Sequence, residues 1–290
     1  MKLKYWLGYY HERLMPPFLY PLALKNWFKK CTGRKLNLKN PVTFDDKINW
    51  VKLYGLMPEM TTLSDKYAVR SWVAEKIGEK YLVPLLGVWN RFEEIDFDAL
   101  PERFVLKTNN GSETNIIVTD KAGFDKAAAA KKFRAWLKMN FAFKFGYQLQ
   151  YRDIPPKIIA EEYIDNGGNN LYDYKVHCFS GVPKYIEYIG DRHTSPHEIY
   201  MDTKWNKQDF YDAVFPQYPE IPPKPERLDE LLSLAETLSQ GFPYVRTDFY
   251  ILNSGEIKFG EMTFTPGSGQ YTWQPESADI EVGKLMKIPY

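Results

Sequence analysis

The chain has 290 residues, of which 44% are apolar, 26% charged and 16% aromatic, a composition that excludes intrinsic disorder and low-complexity sequence. No apolar run approaches the roughly 20 residues that a membrane-spanning helix needs, and polar residues from His11 to Arg13 interrupt any signal peptide. The two cysteines provide neither a disulfide framework nor a zinc cluster, so we expect a cytoplasmic protein.

Residues 1–40 carry an excess of positive charge. They contain nine Lys or Arg and one Glu, a net charge of +8, together with eight aromatic residues. We expect a helical arm that packs on the core. The alternatives are docking on an anionic polysaccharide or at the inner face of a membrane, because basic and aromatic side chains suit both surfaces. Nucleic acid is excluded as a partner, since the rest of the chain is acidic and no nucleic-acid motif occurs.

The predicted elements change from helices to strands along the first half of the chain. The first hundred residues predict helices, one of which has Ser64 as its N-cap and ends at Gly78. Residues 103–107 and 115–119 then predict two strands around a polar loop. A helix and a further strand, at residues 157–164, follow them.

The second half contains two predicted hairpins, at residues 173–189 and 244–264. Between them lie a proline-rich loop over 216–227 and an amphipathic helix over 228–238, which Gly241 closes. Helices mixed with hairpins indicate an α+β fold and argue against a doubly wound parallel sheet.

The last hairpin places two acids face to face. Alternation puts Arg246 and Asp248 on one face of its first strand, and Glu261 and Thr263 share a face of the second. A short turn pairs Asp248 with Glu261. Two facing carboxylates destabilise a hairpin unless a cation lies between them, and Mg²⁺ prefers such oxygen ligands. The alternative is a solvated polar face.

Three lysines lie where they could contact phosphate. Lys107 ends an apolar strand and precedes a loop of Asn, Gly and Ser whose N–H groups could bind an anion. Lys66 lies near the start of a helix, where a bound phosphate would offset the repulsion between its charge and the helix dipole. Lys175 lies on a strand. A hairpin turn and ordinary exposed lysines would explain the same pattern, and the chain has no P-loop motif.

Taken in order, these segments resemble the TupA-like ATP-grasp family of teichuronopeptide synthesis. The segments that carry the resemblance are 41–48, 64–70, 104–112, 161–164, 173–175, 245–250 and 259–269. The resemblance implies an ATP-grasp fold, in which two α+β lobes clasp ATP behind a helical N-terminal extension. It divides the chain into an N-terminal segment (1–60), a small lobe with the phosphate loop and hinge (61–164) and a large lobe with the metal-binding hairpin (165–290).

The same resemblance implies roles for individual residues. Groups that contact the nucleotide would be Lys66, Lys107, Asn110, Gly111, Ser112, the hinge residues Glu161, Glu162, Tyr163 and Ile164, the ribose-binding Asp173, and Lys175. Lys175, Arg192 and Arg246 would be catalytic. Asp248, Glu261 and Thr263 would bind Mg²⁺, although Thr263 stands where ATP-grasp sequences often have Asn. Glu113 similarly stands where the phosphate loop often has Gly.

The resemblance implies an ATP-dependent ligase that joins a carboxylate to an amine through an acyl phosphate. Its setting would be the assembly of bacterial surface polysaccharide, in capsule or cell wall, with a uronic-acid or glycan carboxylate and an amino acid or other amine as substrates. A phosphotransferase, a glycosyltransferase and a non-catalytic binder are the alternatives. The chain lacks the catalytic loop of kinases and the Asp-x-Asp motif of many glycosyltransferases.

Overall fold

The computed structural model describes residues 3–167, 171–190 and 195–289, with side chains from residue 9 onward. Its α-helices are α1 (Leu3–Leu14), α2 (Tyr20–Thr32), α3 (Phe44–Tyr54), α4 (Pro58–Ser64), α5 (Val69–Ile77), α6 (Lys126–Lys138), α7 (Leu228–Ser239) and α8 (Ala278–Leu285). Its strands are β1 (Leu85–Trp89), β2 (Phe104–Thr108), β3 (Asn115–Val118), β4 (Ile158–Glu162), β5 (Asp173–Phe179), β6 (Val182–Gly190), β7 (His197–Asp202), β8 (Tyr211–Asp212), β9 (Tyr244–Ile251), β10 (Ile257–Thr263) and β11 (Trp273–Gln274). Among the residues so described, no helix is both long and apolar enough to cross a membrane.

The smaller of the two main sheets has four antiparallel strands in the order β1-β4-β2-β3. Helix α6 packs on it through Phe133, which is fully buried with Phe104, Leu106, Ile158 and Ala160. This core directs one face of β2 inward and leaves Lys107 on the other face.

The larger sheet has five antiparallel strands in the order β10-β9-β5-β6-β7. Helix α7 covers one of its faces with the predicted apolar stripe, of which Leu228, Leu231 and Leu238 are buried and Leu232 is half-buried. Both predicted hairpins are present, and the mixed helices and antiparallel sheets confirm the α+β prediction.

The first hundred residues differ from the prediction in two places. Strand β1 lies within them and pairs with β4, although only helices were expected. Ser64 is wrong as an N-cap, because it is the last residue of α4, and the next helix begins at Val69. The turn between them is held instead by Asp65, whose side chain accepts hydrogen bonds from the backbone N–H groups of Tyr67 and Ala68.

The N-terminal arm packs on the rest of the chain through one face. Tyr9, Tyr20, Leu24 and Phe28 are buried against residues 139–154. Helix α3 joins this region to the large sheet through buried polar side chains. Its fully buried Lys52 donates to the backbone oxygen and the hydroxyl of Ser268, and this fixes the segment that follows β10.

Candidate functional site

A cavity of about 660 Å³ lies between the two main sheets. Thirteen of the residues predicted for the site line it: Lys66, Lys107, Gly111, Ser112, Glu161, Glu162, Tyr163, Ile164, Asp173, Lys175, Arg246, Asp248 and Glu261. Asn110 and Thr263 are buried next to lining residues. Arg192 lies outside the described residues. Pockets of this size with convergent polar groups are typical of small-molecule sites.

The carboxylate hairpin has the predicted register at its functional end. Asp248 pairs with Glu261, and Arg246 pairs with Thr263. Nearer the turn the register differs by one residue, because a β-bulge lies between Phe259 and Glu261. A bulge changes which face the following side chains occupy. It therefore brings Glu261 to the same face as Asp248.

Asp248 is already surrounded by positive charge. Arg246 donates to both of its carboxylate oxygens at 2.8 Å, and Lys175 Nζ lies 3.4 Å from Oδ2. All three side chains are less than 10% exposed. Burial opposes the charged form of Arg246, but the Asp248 and Glu187 carboxylates outweigh it and raise the pKa of the guanidinium further.

Lys66 connects the phosphate loop with the carboxylate hairpin. Its Nζ donates to the backbone oxygen of Gly111 at 2.8 Å and lies 3.0 Å from Glu261 Oε2. Burial opposes ionisation of both groups. The Glu261 carboxylate nevertheless raises the pKa of Lys66, and Lys66 with Arg246 holds the pKa of Glu261 well below its usual range. Thr263 supports this arrangement, since its hydroxyl donates to Glu261 Oε1 at 3.0 Å. Its part as a metal ligand stays a prediction.

Lys107 forms a second ion pair across the small sheet. Its Nζ lies 2.5 Å from Glu161 Oε2, and Arg70 Nη1 donates to the other oxygen of the same carboxylate at 3.2 Å. Arg70 was not predicted as a site residue. Arg70 is the second residue of α5, and nothing in the sequence around it indicates a chemical role; only the fold brings it to Glu161.

The loop that is predicted to bind phosphate is closed at its base by a pair of threonines. Thr108 Oγ1 and Thr114 Oγ1 are 2.6 Å apart, and the Thr108 N–H donates to the Thr114 oxygen. Glu113 adopts a left-handed conformation with φ 60°, which favours glycine. Its side chain is 77% exposed and lies 3.6 Å from Lys144. The Glu113 carboxylate is therefore in solvent, while the backbone keeps the conformation that a glycine would adopt.

The remaining lining has an apolar part next to the predicted hinge. Strand β4 ends at Glu162, and Tyr163 and Ile164 continue along the cavity wall. The apolar side chains there are those of Val83, Val105, Ile117, Leu171 and Phe259. Asp173 begins β5, is 3% exposed and lines the same cavity. A flat apolar ring with a polar substituent fits such a surface.

A buried extension of the site was missed by the sequence reasoning. Glu187 pairs with Lys175 across β5 and β6, and its Oε2 lies 3.6 Å from Arg246 Nη1 and 3.2 Å from His177 Nε2. His177 in turn contacts the Tyr244 hydroxyl at 2.9 Å. Burial lowers the pKa of His177. The register of the predicted hairpin at residues 173–189 was the signal that places Glu187 opposite Lys175.

The donor set suits a hard cation bound together with a phosphate ester. Two facing carboxylates come from one hairpin, Lys66, Lys175 and Arg246 contact them, and Lys107 lines the same cavity. Among the described residues, no group of three or more His, Cys, Asp or Glu could hold a metal alone. Mg²⁺ typically takes one or two carboxylates and completes its shell with phosphate oxygens and water. The residues present therefore fit Mg²⁺ that arrives with a nucleotide.

A family model described as TupA-like ATPgrasp matches residues 46–287. No curated protein matches the chain. Among solved structures, an L-amino acid ligase from Bacillus licheniformis is 17% identical over 78% of this chain and 49% of its own, with a TM-score of 0.47. A D-alanine–D-alanine ligase from Bacillus anthracis, complexed with ATP, is 19% identical over 76% of this chain and 61% of its own, with a TM-score of 0.43. An N5-carboxyaminoimidazole synthetase from Staphylococcus aureus is 12% identical over 72% and 46%, with a TM-score of 0.42. The chain thus spans about half the length of these structures.

Proposed function

Because the chain belongs to the TupA-like ATP-grasp family, we propose that it is an ATP-dependent ligase that forms an amide from a carboxylate and an amine. One observation carries the proposal. The Lys66 ammonium contacts both the phosphate loop, at Gly111, and the acidic hairpin, at Glu261. A phosphate chain held by that loop would therefore lie directly beside two carboxylates suited to Mg²⁺.

The nucleotide would bind with its phosphates at the charged part of the cavity. Lys66 and Lys107 would contact the α- and β-phosphates, and the loop over residues 110–112 would cover them. In doing so the two lysines would exchange their Glu261 and Glu161 partners for phosphate oxygens. The adenine would lie on the apolar lining along the hinge over 161–164, and Asp173 would accept hydrogen bonds from the ribose.

The reaction centre would lie at Asp248 and Glu261. These acids, with Thr263 as a weaker third ligand, would hold Mg²⁺, which neutralises charge on the transferring phosphoryl group. Lys175, Arg246 and Arg192 would orient the γ-phosphate and the substrate carboxylate. The carboxylate oxygen attacks the γ-phosphorus and ADP leaves; the amine then attacks the acyl carbon, and phosphate leaves.

The substrates we propose are a uronic-acid or other glycan carboxylate and an amino acid or similar amine, in the assembly of bacterial surface polysaccharide. Two lobes with boundaries near residues 60 and 164 would close around ATP and exclude water from the acyl phosphate. The competing functions are a phosphotransferase and a glycosyltransferase. The chemical identity of the product distinguishes them from a ligase.

The outer face of the N-terminal helices is the proposed contact with an anionic polymer or membrane surface. Leu14 and Phe18 are each 79% exposed and Leu22 is 59% exposed. Exposed Lys25 and Lys29 continue the same stripe of α2 at helical spacing. Apolar side chains beside lysines suit the interface of an anionic bilayer, where they would attach a cytoplasmic protein peripherally.

The proposal is tested by identifying the products that form from ATP and a panel of candidate substrates. The protein is incubated with Mg²⁺-ATP and uronic acids or amino acids, with hydroxylamine as a trap. We expect hydroxamate and ADP only when a substrate carboxylate is present, and an amide when an amine replaces hydroxylamine. A stable phosphorylated product would indicate a kinase, and glycosyl transfer without ATP would indicate a glycosyltransferase. Either result would contradict the proposal.

A further inference from the structure

Two carboxylates are buried next to the reaction centre, and neither forms a salt bridge with a basic side chain of the described residues. Glu198 on β7 is 3% exposed and Asp212 on β8 is 8% exposed. The two are adjacent, because the Asp212 N–H donates to Glu198 Oε1 at 3.3 Å. Within residues 3–167, 171–190 and 195–289, neither carboxylate forms a salt bridge with Lys, Arg or His. Lys175 acts on Glu198 and Arg34 on Asp212 only over longer distances, and burial, which raises both pKa values, outweighs them. A buried pair of like charges is costly unless a cation or a proton neutralises it.

A buried hydroxyl without a partner points at the same acids. Tyr200 is 1% exposed, and its hydroxyl makes no hydrogen bond among the described residues. It pairs with Glu187 across β6 and β7, and it shares a face with Glu198 because alternate strand residues point the same way. Burial and then the carboxylates of Glu187 and Glu198 raise the pKa of Tyr200. The phenol oxygen is therefore directed into the acidic cluster.

The side chain of Glu187 connects this acidic cluster with the carboxylate hairpin. Glu187 lies beside Tyr200, and its carboxylate is 3.6 Å from Arg246, which binds Asp248. A substrate group held by Glu198 and Asp212 would thus lie on the same sheet face as the acyl phosphate. Asp212 is held in place by the Thr272 N–H, which donates to Oδ1 at 2.9 Å, so this carboxylate is fixed in direction.

We propose that Glu198, Asp212 and Tyr200 bind the ammonium group of the amine substrate, an inference that rests on the proposed ligase function. An ammonium group has three N–H donors, and the three side chains offer an oxygen for each. A metal ion is a poorer occupant, since the described residues contain no three-membered group of metal-binding side chains. Without a cation, burial and the neighbouring Glu187 raise the pKa of Glu198 to about 9, so the pair keeps a proton that the ammonium group replaces.

The experiment compares Glu198→Gln and Tyr200→Phe with the unchanged chain. The probes are L-alanine, L-glutamate and L-lysine, each beside a derivative in which every amino group is acetylated, and binding is measured by calorimetry in the presence of Mg²⁺ and ADP. Asp279→Asn is the matched control, because Asp279 is an equally buried acid, 2% exposed, that does have a basic partner, Arg34 at 2.7 Å. Melting temperature is recorded for every variant without ligand.

We expect Glu198→Gln to bind the free amines about tenfold or more weakly and the acetylated forms unchanged, since the acceptor of the ammonium group loses its negative charge. Neither Glu198→Gln nor Tyr200→Phe should melt below the unchanged chain, whereas Asp279→Asn should. A lower melting temperature with unchanged amine affinity would make the cluster structural and overturn the inference, as would an unchanged chain that binds none of the amines. If amine binding depends on Glu198 but no carboxylate supports ADP release, the ligase function fails and the ammonium site stands.

Discussion

The two acids of the carboxylate hairpin, Asp248 and Glu261, should contribute very differently to the free energy of unfolding. Asp248→Asn and Glu261→Gln each remove one carboxylate, and each should abolish turnover that needs Mg²⁺-ATP. Their structural settings are unlike, however. Asp248 is 6% exposed at its side chain and receives two hydrogen bonds from Arg246, whereas the Glu261 side chain is 33% exposed and pairs with Lys66.

The loss of stability in each variant depends on which partners the remaining basic side chain keeps. Removing one member of a buried ion pair typically costs about 3–5 kcal/mol, because the other charge stays buried. Arg246 keeps Glu187 and Glu261, each at 3.6 Å, so we expect Asp248→Asn to lower the free energy of unfolding by about 2–3 kcal/mol. The Lys66 and Glu261 side chains are 17% and 33% exposed, and solvent screens a pair of this kind, so Glu261→Gln should cost about 1 kcal/mol or less.

The assay is thermal melting of both variants without nucleotide at neutral pH. At about 2 °C per kcal/mol for a chain of this size, the expected losses are about 4–6 °C for Asp248→Asn and no more than about 2 °C for Glu261→Gln. Glu256→Gln on the same hairpin is the control, since its carboxylate is 60% exposed. Equal small losses in both site variants would show that repulsion between the acids outweighs the Arg246 pair and would refute this reasoning.

Three further outcomes are expected. Lys107→Ala should weaken the binding of ATP far more than that of adenosine, because it removes a phosphate contact; calorimetry with both ligands checks this, and equal losses would make Lys107 structural. The pKa of Glu198 is raised by burial from its ordinary value near 4.5 to about 9, so the folded chain keeps a proton that the unfolded chain releases, and stability should fall as pH rises between these values. Urea melts at several pH values should show a flatter profile for Glu198→Gln, and an unchanged slope would contradict the assignment. Replacing Phe18 and Leu22 by Ser should remove salt-sensitive co-sedimentation with anionic vesicles at an unchanged melting temperature, whereas Val214→Ser, which is also an exposed apolar position, should not.

Much of the fold follows from local patterns in the sequence. The alternation of residues 244–264 and the short turn between its strands predict the hairpin, and they pair Asp248 with Glu261 correctly. The β-bulge before Glu261 was not predicted, because a bulge depends on how the neighbouring strand packs. Strand β1 was missed for a related reason. All five of its residues are half-buried, so it shows no alternation of buried and exposed positions.

The ion pairs of the site could not be predicted from the sequence. Two facing carboxylates predict repulsion, and from that pattern alone neither acid should matter for stability. The structure instead places Arg246 and Lys175 on Asp248, and Lys66 on Glu261. Lys66 is far away in sequence, and it follows α4, so only the packing of α4 beside β10 brings its ammonium there. The proximity of Glu198 and Asp212, which form no salt bridge among the described residues, could not be predicted either, because they come from separate strands with no shared motif.

The most direct test of the account is the effect of Mg²⁺ on ATP affinity, measured by calorimetry in the unchanged chain and in Glu261→Gln. This measurement needs no knowledge of the other substrates. We expect Mg²⁺ to strengthen ATP binding in the unchanged chain and to have no such effect in Glu261→Gln, which retains its fold. Equal strengthening in both proteins, or the absence of ATP binding in the unchanged chain, would contradict the assignment of the cavity between the two sheets as a Mg²⁺-ATP site.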